Sequence, residues 1–276
     1  MIKVSSEELR IIARYIHDLC GIILDESKAY LIESRLSPLM QELGCQNYQE
    51  LYFKAKNDPS RLLPGRIIDA ITTNETSFFR DRSPFELLKY KLVPDHVDRI
   101  QATGAPKSLS IWSAAASTGQ EIYSIAITLS EIIPDLARWK IRLLGTDISD
   151  AAIAQASYGK YNRVEIERGL PPGHIQKYFN PQGNFWRIKD EIRAMASFQK
   201  MNLLDPVLAV GKWDIIFCRN VAIYFTPENR TKLFDRLANQ LNPHGSLIIG
   251  STESLLGVST RYARQEYHNA VFYQLQ

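Results

Sequence analysis

Residues 109–121 read LSIWSAAASTGQE, and LLGTDIS follows at 143–149. The fold turns on this pair of segments. A short apolar run, Leu109 to Trp112, leads into a loop of small residues, Ser113 to Gly119. Glu121 then opens a helical stretch, IYSIAITLSEII, and Asp147 comes about 28 residues after Gly119. A strand, a turn, a helix and a second strand ending on a carboxylate is the layout of a doubly wound nucleoside-binding fold. Small loop residues let the backbone approach a ligand closely. A carboxylate at that strand end can accept both ribose hydroxyls.

The loop also restricts the ligand. A pyrophosphate cofactor asks for G-x-G-x-x-G, so that glycines and a helix N-terminus can hold the anion. Here A-A-A-S-T-G carries a single glycine. A nucleoside cofactor without phosphate fits better, and S-adenosyl-L-methionine is the obvious candidate. The plainer alternative is an ordinary buried strand and turn.

Composition sets outer bounds. The chain has 276 residues, 45% hydrophobic and 23% charged, enough for one large domain or two smaller ones. A net charge of +3 is too small to argue for nucleic acid. The opening MIKVSSEELR is polar, and no apolar run approaches the ~20 residues of a membrane span. Cys20, Cys45 and Cys218 are odd in number and far apart, and the five histidines are scattered. Neither a disulfide framework nor a metal site is implied. A reduced, cytoplasmic setting is the natural reading.

Residues 1–80 read as all helix. Ser5 and Glu8 have capping-box spacing, Leu9, Ile12, Ile16 and Leu19 follow at helical spacing, and Gly21 is a stop. A second helix is expected from Ser27 to Leu43, kinked or interrupted at Pro38, with two more near Tyr48–Lys56 and Leu62–Ile71. From Pro84 helices and strands alternate. Strands are expected at 109–113, 141–146, 213–218 and 246–250, and helices at 84–101, 120–132, 148–156 and 227–241. That order predicts a mostly parallel sheet with helices on both faces. Between 163 and 198 the alternation breaks, and FWRI (185–188) and ASFQ (196–199) are read as strands of a small antiparallel insertion.

Two further segments could carry chemistry. TTNETSFFRDR (72–82) gathers hydroxyls, an amide, paired aromatics and Arg80 at the junction of the two regions, where ligand clefts are common. It could equally be a polar linker with an aromatic plug. WDIIFCRNVAIYF (213–225) is a buried strand followed by Arg219 and Asn220, beyond the carboxyl end where ligands bind in such sheets. Cys218 reads as a small buried residue rather than a nucleophile.

Taken together, TTNETSFFRD, WSAAASTGQEIYSIAI, GTDIS, NLLDP (202–206), FCRNVAIYF and GSTESL (250–255) resemble the chemotaxis receptor methyltransferases, the CheR family. The resemblance implies an all-α helical domain at 1–80 that faces the receptor. It implies an S-adenosyl-L-methionine methyltransferase domain at 81–276, α/β and Rossmann-like, with a small antiparallel β-subdomain near 163–198. The implied reaction moves a methyl group from S-adenosyl-L-methionine to glutamate side chains of chemoreceptor cytoplasmic domains, leaving S-adenosyl-L-homocysteine. By the same resemblance Asn74, Thr76 and Arg80 contact the methionyl part of the cofactor, with Glu121 near it. Asp147 holds the ribose, Asn202 and Leu203 border the adenine, and Arg219 and Asn220 close the site. Tyr224 lies beside the transferring methyl, and Arg80 and Tyr224 are the expected catalytic pair.

The implied partners are receptors alone, with no nucleic acid, no direct membrane contact and a monomeric enzyme. Rival readings are a methyltransferase for another acceptor, a non-catalytic cofactor-binding sensor or scaffold, and a nicotinamide dehydrogenase. The acceptor motif D/N-P-P-Y/F of nucleic-acid amino-methylases is replaced by C-R-N-V, and the dinucleotide glycines are missing. The chain departs from the family at Gln120, commonly acidic, and at Ile122, commonly proline. The stretch KAYLIESRLSPLMQELG keeps Lys28 and Arg35 but has Ser37, Pro38 and Gln41 where the family often has arginines, which weakens charge steering to a receptor or moves it to another face. YFNPQGNF (178–185) is short where tether-gripping members have a longer, glycine-richer loop. The expected outcome is that a receptor's C-terminal tether pentapeptide does not bind. Calorimetry returning a low-micromolar affinity would contradict this.

Overall fold

The computed structural model describes residues 2–205 and 210–276; Pro206, the last residue of the NLLDP block, lies outside them. Four helices form the N-terminal unit: α1 (Ser6–Cys20), α2 (Ala29–Glu42, entered through a 3-10 turn), α3 (Tyr48–Lys56) and α4 (Leu62–Ile71). The capping box is in place, since Ser5 accepts from the Glu8 backbone and Glu8 reaches back to Ser5. Leu9, Ile12, Ile16 and Cys20 form the buried stripe of α1. They share a core with Ile32, Leu36, Tyr48, Leu51 and Ile67. Pro38 does not interrupt α2, contrary to expectation. Pro38 lacks the N–H that would bond the Ser34 carbonyl, but both residues face solvent, so water can serve that carbonyl.

The larger unit begins with α5 (Ser83–Leu87), which runs through a π-helical turn at 88–92 into α6 (Val93–Thr103). The wide turn sits just before Pro94, whose ring an unbroken α-helix would not accommodate. Then come β1 (Ser108–Ala114), α7 (Gln120–Ile132), β2 (Lys140–Asp147), α8 (Asp150–Tyr158), β3 (Lys160–Asn162), α9 (Arg163–Glu167) and α10 (Pro172–Tyr178). They are followed by β4 (Phe179–Gln182), β5 (Phe185–Ile188), α11 (Asp190–Arg193), β6 (Ala196–Lys200) and β7 (Trp213–Cys218). The chain ends with α12 (Pro227–Gln240), β8 (Leu241–Ile249), β9 (Tyr262–Tyr267) and β10 (Ala270–Leu275).

The main sheet has the order β6-β2-β1-β7-β8-β10-β9. The strands from β6 to β8 are parallel, and β10 is antiparallel to both neighbours. Alternate residues feed opposite faces. Leu109, Ile111, Ile215 and Phe217 pack under α7, with Ile122, Ile125 and Leu129. Trp112, Ala114, Ile216 and Cys218 pack on the other side, with Leu233, Phe234 and Leu237 of α12. The sheet is therefore wound on both faces, and its order reverses between β1 and β7, where a crevice opens beyond the strand ends.

Two strand assignments need correction. ASFQ is not part of an antiparallel insertion: β6 lies at the edge of the main sheet, parallel to β2, with Gly145 opposite Phe198. The small sheet is instead β3-β5-β4, all antiparallel, and recruits residues 160–162 just after α8. A two-residue turn, Gly183–Asn184, joins β4 to β5. The β9–β10 hairpin was not anticipated, and it makes the sheet mixed. Among the described residues no helix is long and apolar enough to cross a membrane.

Gly119 caps the small-residue loop at φ 94°. A Cβ there would come 2.9 Å from the Ala156 Cβ and 3.2 Å from the Tyr161 hydroxyl. Gly119→Ala combines left-handed strain with overpacking and is expected to cost on the order of 1–3 kcal/mol, read as a lower urea midpoint with an unchanged slope.

Candidate functional site

One cleft lies beyond the carboxyl ends of β1, β2, β6 and β7, walled on its far side by the N-terminal unit. It is lined by Thr76, Arg80, Glu121, Asp147, Asn202, Leu203, Arg219, Asn220 and Tyr224. Eight of the nine residues inferred from the sequence as cofactor-binding thus meet there, together with Tyr224. Asn74 is the exception: it does not line the cleft, and its backbone carbonyl accepts a 3.3 Å bond from Ser117 Oγ.

Arg219 is the hub. It leaves the end of β7 with its side chain 2% exposed. Nη1 donates to Glu121 Oε2 at 2.7 Å; Nη2 donates to Asp81 Oδ2 at 2.7 Å and to the Arg80 carbonyl at 2.9 Å. Glu121 Oε1 accepts from Ser113 Oγ at 2.7 Å, which ties β1 into the same network. Glu121 and Asp81 against Arg219 and the cleft-lining Arg80 leave these four charges balanced, and of the two carboxylates Glu121 is the one that lines the cleft. Arg219 Nε is buried without a hydrogen-bond partner among the described residues, so the hub retains a donor. Removing a partner from a buried ionic network costs about 3–5 kcal/mol, because the remaining charge is stranded.

Asp147 ends β2 and is 8% exposed. Its Oδ2 accepts from Ser117 N at 2.8 Å and its Oδ1 from Ser149 N at 3.0 Å. Each oxygen keeps acceptor capacity for a ribose hydroxyl. Burial pushes this carboxyl above the usual aspartate range; the backbone N–H groups of Ser149, Ser117 and Ile148 pull the other way, and nearby Asp69 adds to the rise. The loop that presents Ser117 holds Ala115 at φ 63° and Ser117 at φ 51°. Asn220 stands at φ 57°, and Phe79, Asp81 and Arg82 also lie in the left-handed region. Such backbone costs of order 1–3 kcal/mol per residue and collects at functional sites.

The N-terminal contribution to the cleft was missed. Cys20, Ile22, Ile23, Leu24, Lys28, Leu31 and Arg35 line it. Asn202 Nδ2 donates to the Leu19 carbonyl at 3.2 Å, Ile23 N to the Tyr224 carbonyl at 3.2 Å, and Ser149 Oγ to Asp69 Oδ1 at 2.7 Å. The available signal was the apolar triplet after Gly21, which belongs to no helix and has to be covered somewhere. Lys28 and Arg35 face this cleft too. Lys28 Nζ donates to the Ile23 carbonyl at 3.2 Å, and Arg35 donates to the Ile71 carbonyl and to Thr73 Oγ1. Asp81, the second partner of Arg219, was also missed, although it sits inside the junction segment. Gln120 is turned inward, accepting from Thr118 Oγ1 at 2.8 Å. Neither Cys20, which lines the cleft, nor Cys218, in the core at the end of β7, is a candidate nucleophile: burial pushes Cys20 up to about 11 and Cys218 far above the usual thiol range. No group of three or more metal-ligating side chains exists among the described residues.

Comparison with known proteins places this geometry. A family model described as CheR methyltransferase, SAM binding domain, matches residues 74–271, and one described as CheR methyltransferase, all-alpha domain, matches residues 7–72. The chemotaxis protein methyltransferase of Vibrio parahaemolyticus is 36% identical over 283 residues, covering 100% of this chain and 99% of its own length. Chemotaxis protein methyltransferase Cher2 of Pseudomonas putida is 37% identical over 264 residues, covering 94% of each.

A pH dependence follows from Asp147. Its ionised form carries acceptor lone pairs alone and so can take two ligand hydroxyls at once. Because the folded pKa is raised, S-adenosyl-L-methionine affinity starts to fall at a higher pH than an aspartate near its reference value of about 3.9 would allow. Asp147→Asn should remove that inflection and weaken binding at neutral pH about tenfold or more. Calorimetry across a pH series checks both.

Proposed function

The chain belongs to the CheR methyltransferase family, and on that premise we propose that it methylates glutamate side-chain carboxylates of chemoreceptors. Its cofactor is S-adenosyl-L-methionine. The observation that carries the reading is the convergence of the junction segment, the small-residue loop, Asp147 and the Arg219–Asn220 turn on one cleft. The proposed site assignment keeps Asp147 for the ribose, Asn202 and Leu203 for the adenine side, Thr76 and Arg80 for the methionyl side with Glu121 near it, and Arg219 and Asn220 closing the site.

When bound, the cofactor would supply an electrophilic sulfonium methyl carbon for in-line transfer to an acceptor oxygen, the C–O bond forming as the C–S bond breaks and the thioether of S-adenosyl-L-homocysteine leaves. A glutamate carboxylate, with a reference pKa of about 4.3, is already ionised at pH 7, so the protein need not supply a base. Its work is placement in a space with little water. Glu121, which lines the cleft beside Arg219, offers a carboxylate to the cationic end of the cofactor. Lys28 and Arg35, on the opposite wall, favour an incoming carboxylate. Arg80 is anchored by one bond from Nη1 to the Glu75 carbonyl at 2.8 Å, which leaves its remaining N–H groups for ligand and acceptor. Tyr224 is held at its backbone by Val221 and Ile23, which fixes the ring at the cleft wall.

The decisive experiment incubates the protein with methyl-labelled S-adenosyl-L-methionine and chemoreceptor cytoplasmic fragments, then treats the product with mild alkali. Label released as methanol identifies glutamate esters. A protein that binds the cofactor but labels none of the fragments would point to the sensor or scaffold reading. Arg80→Ala should lower turnover by about 10²-fold. Its melting temperature should hardly change, because the side chain makes no buried ion pair. Normal turnover in that variant would remove Arg80 from the mechanism.

A further inference from the structure

The GSTES segment that follows β8 has no assigned part in binding or catalysis, yet it holds the turn that carries Arg219 and Asn220. Glu253 Oε2 accepts two backbone N–H groups at once, from Asn220 at 2.8 Å and from Gly250 at 2.7 Å. These donors lie at the carboxyl ends of β7 and β8, which are adjacent in the sheet. Glu253 Oε1 is buried and has no hydrogen-bond partner among the described residues. Asn220 itself is strained, at φ 57°. The space is full: a Cβ on Gly250 would come 2.6 Å from Glu253 Oε2 and 2.8 Å from Asn220 Nδ2. Glu253 does not line the cleft, whereas Asn220 and Arg219 do.

From this geometry we infer that Glu253 is a positioning residue for the cofactor site: its carboxylate clamps the Asn220 backbone in the left-handed conformation and so aims Asn220 and Arg219 into the cleft. A left-handed non-glycine residue persists only where its surroundings over-determine it, and here the Asn220 N–H is bonded by Glu253. The clamp needs one oxygen in one place and draws nothing from the other. The inference rests on the methyltransferase reading for its cofactor, but it concerns binding and can be tested without any acceptor.

The test is calorimetric titration of S-adenosyl-L-homocysteine into the full chain and its variants, with melting temperatures recorded alongside. Glu253→Ala should raise Kd at least tenfold at unchanged stoichiometry. Glu253→Gln should stay within about threefold of the parent, because the amide oxygen can take both N–H groups while its NH2 occupies the unpartnered position. A merely structural role would lower the melting temperature and the bound fraction while leaving Kd alone. An unchanged Kd in Glu253→Ala, or equal losses in the alanine and glutamine variants, would overturn the inference. If Glu253→Ala does not fold, Gly250→Ala carries the test: it must raise Kd, and a native Kd there would equally overturn it. Failure of the parent to label receptors while still binding S-adenosyl-L-homocysteine would sink the proposed reaction and leave this comparison decisive.

Discussion

The buried Arg219 guanidinium is the constraint around which the cleft is organised. It joins the end of β7, the first turn of α7 and the junction segment through charges that have little access to water. Each element is individually awkward there. Phe79, Asp81 and Arg82 carry left-handed backbone, and Asn220 does so immediately after Arg219. A hub that strands a charge when any spoke is lost can hold all of them in register. It also explains the location of the junction segment: residues 72–82 are a linker in sequence but a wall of the site in space.

The fold was readable where local pattern and global packing agree. In the β1–loop–α7–β2 unit, buried strands, a glycine turn and an apolar helix coincide, and α7 starts and stops at residues 120 and 132 as expected. The helices of the N-terminal unit carried caps and spacing that needed no distant partner. The failures were non-local. β6, ASFQ with Lys200 added, is five residues on a sheet edge with polar side chains outward, so nothing in the segment says which sheet will accept it. The terminal strands, YARQEY and AVFYQL, pair across the two-residue turn His268–Asn269, which lacks the usual Asn-Gly signature.

The site shows the same division. Asp147, Glu121, Arg219 and Asn220 stand at strand and helix ends that the winding of the sheet predicts, and they line one cleft. The opposite wall could not be read, because it depends on how two separately patterned units dock. In the sequence Lys28 and Arg35 read as what α2 and its entry turn keep of a basic stretch that steers a receptor. In three dimensions they border the same cavity as Asp147. A helix periodicity fixes which residues share a face; it does not say what that face meets.

That docking has a thermodynamic side. The bonds from Asn202 to Leu19, from Ile23 to Tyr224 and from Ser149 to Asp69 sit around the cleft that a ligand must fill. A ligand touching both walls adds its own binding energy to the association of the two units. By reciprocity, whatever strengthens their association strengthens the ligand's affinity by the same factor. The two units are separable as sequence patterns but linked as equilibria. A partner that grips the helical unit alone would therefore act, through that linkage, on the cofactor at the far wall.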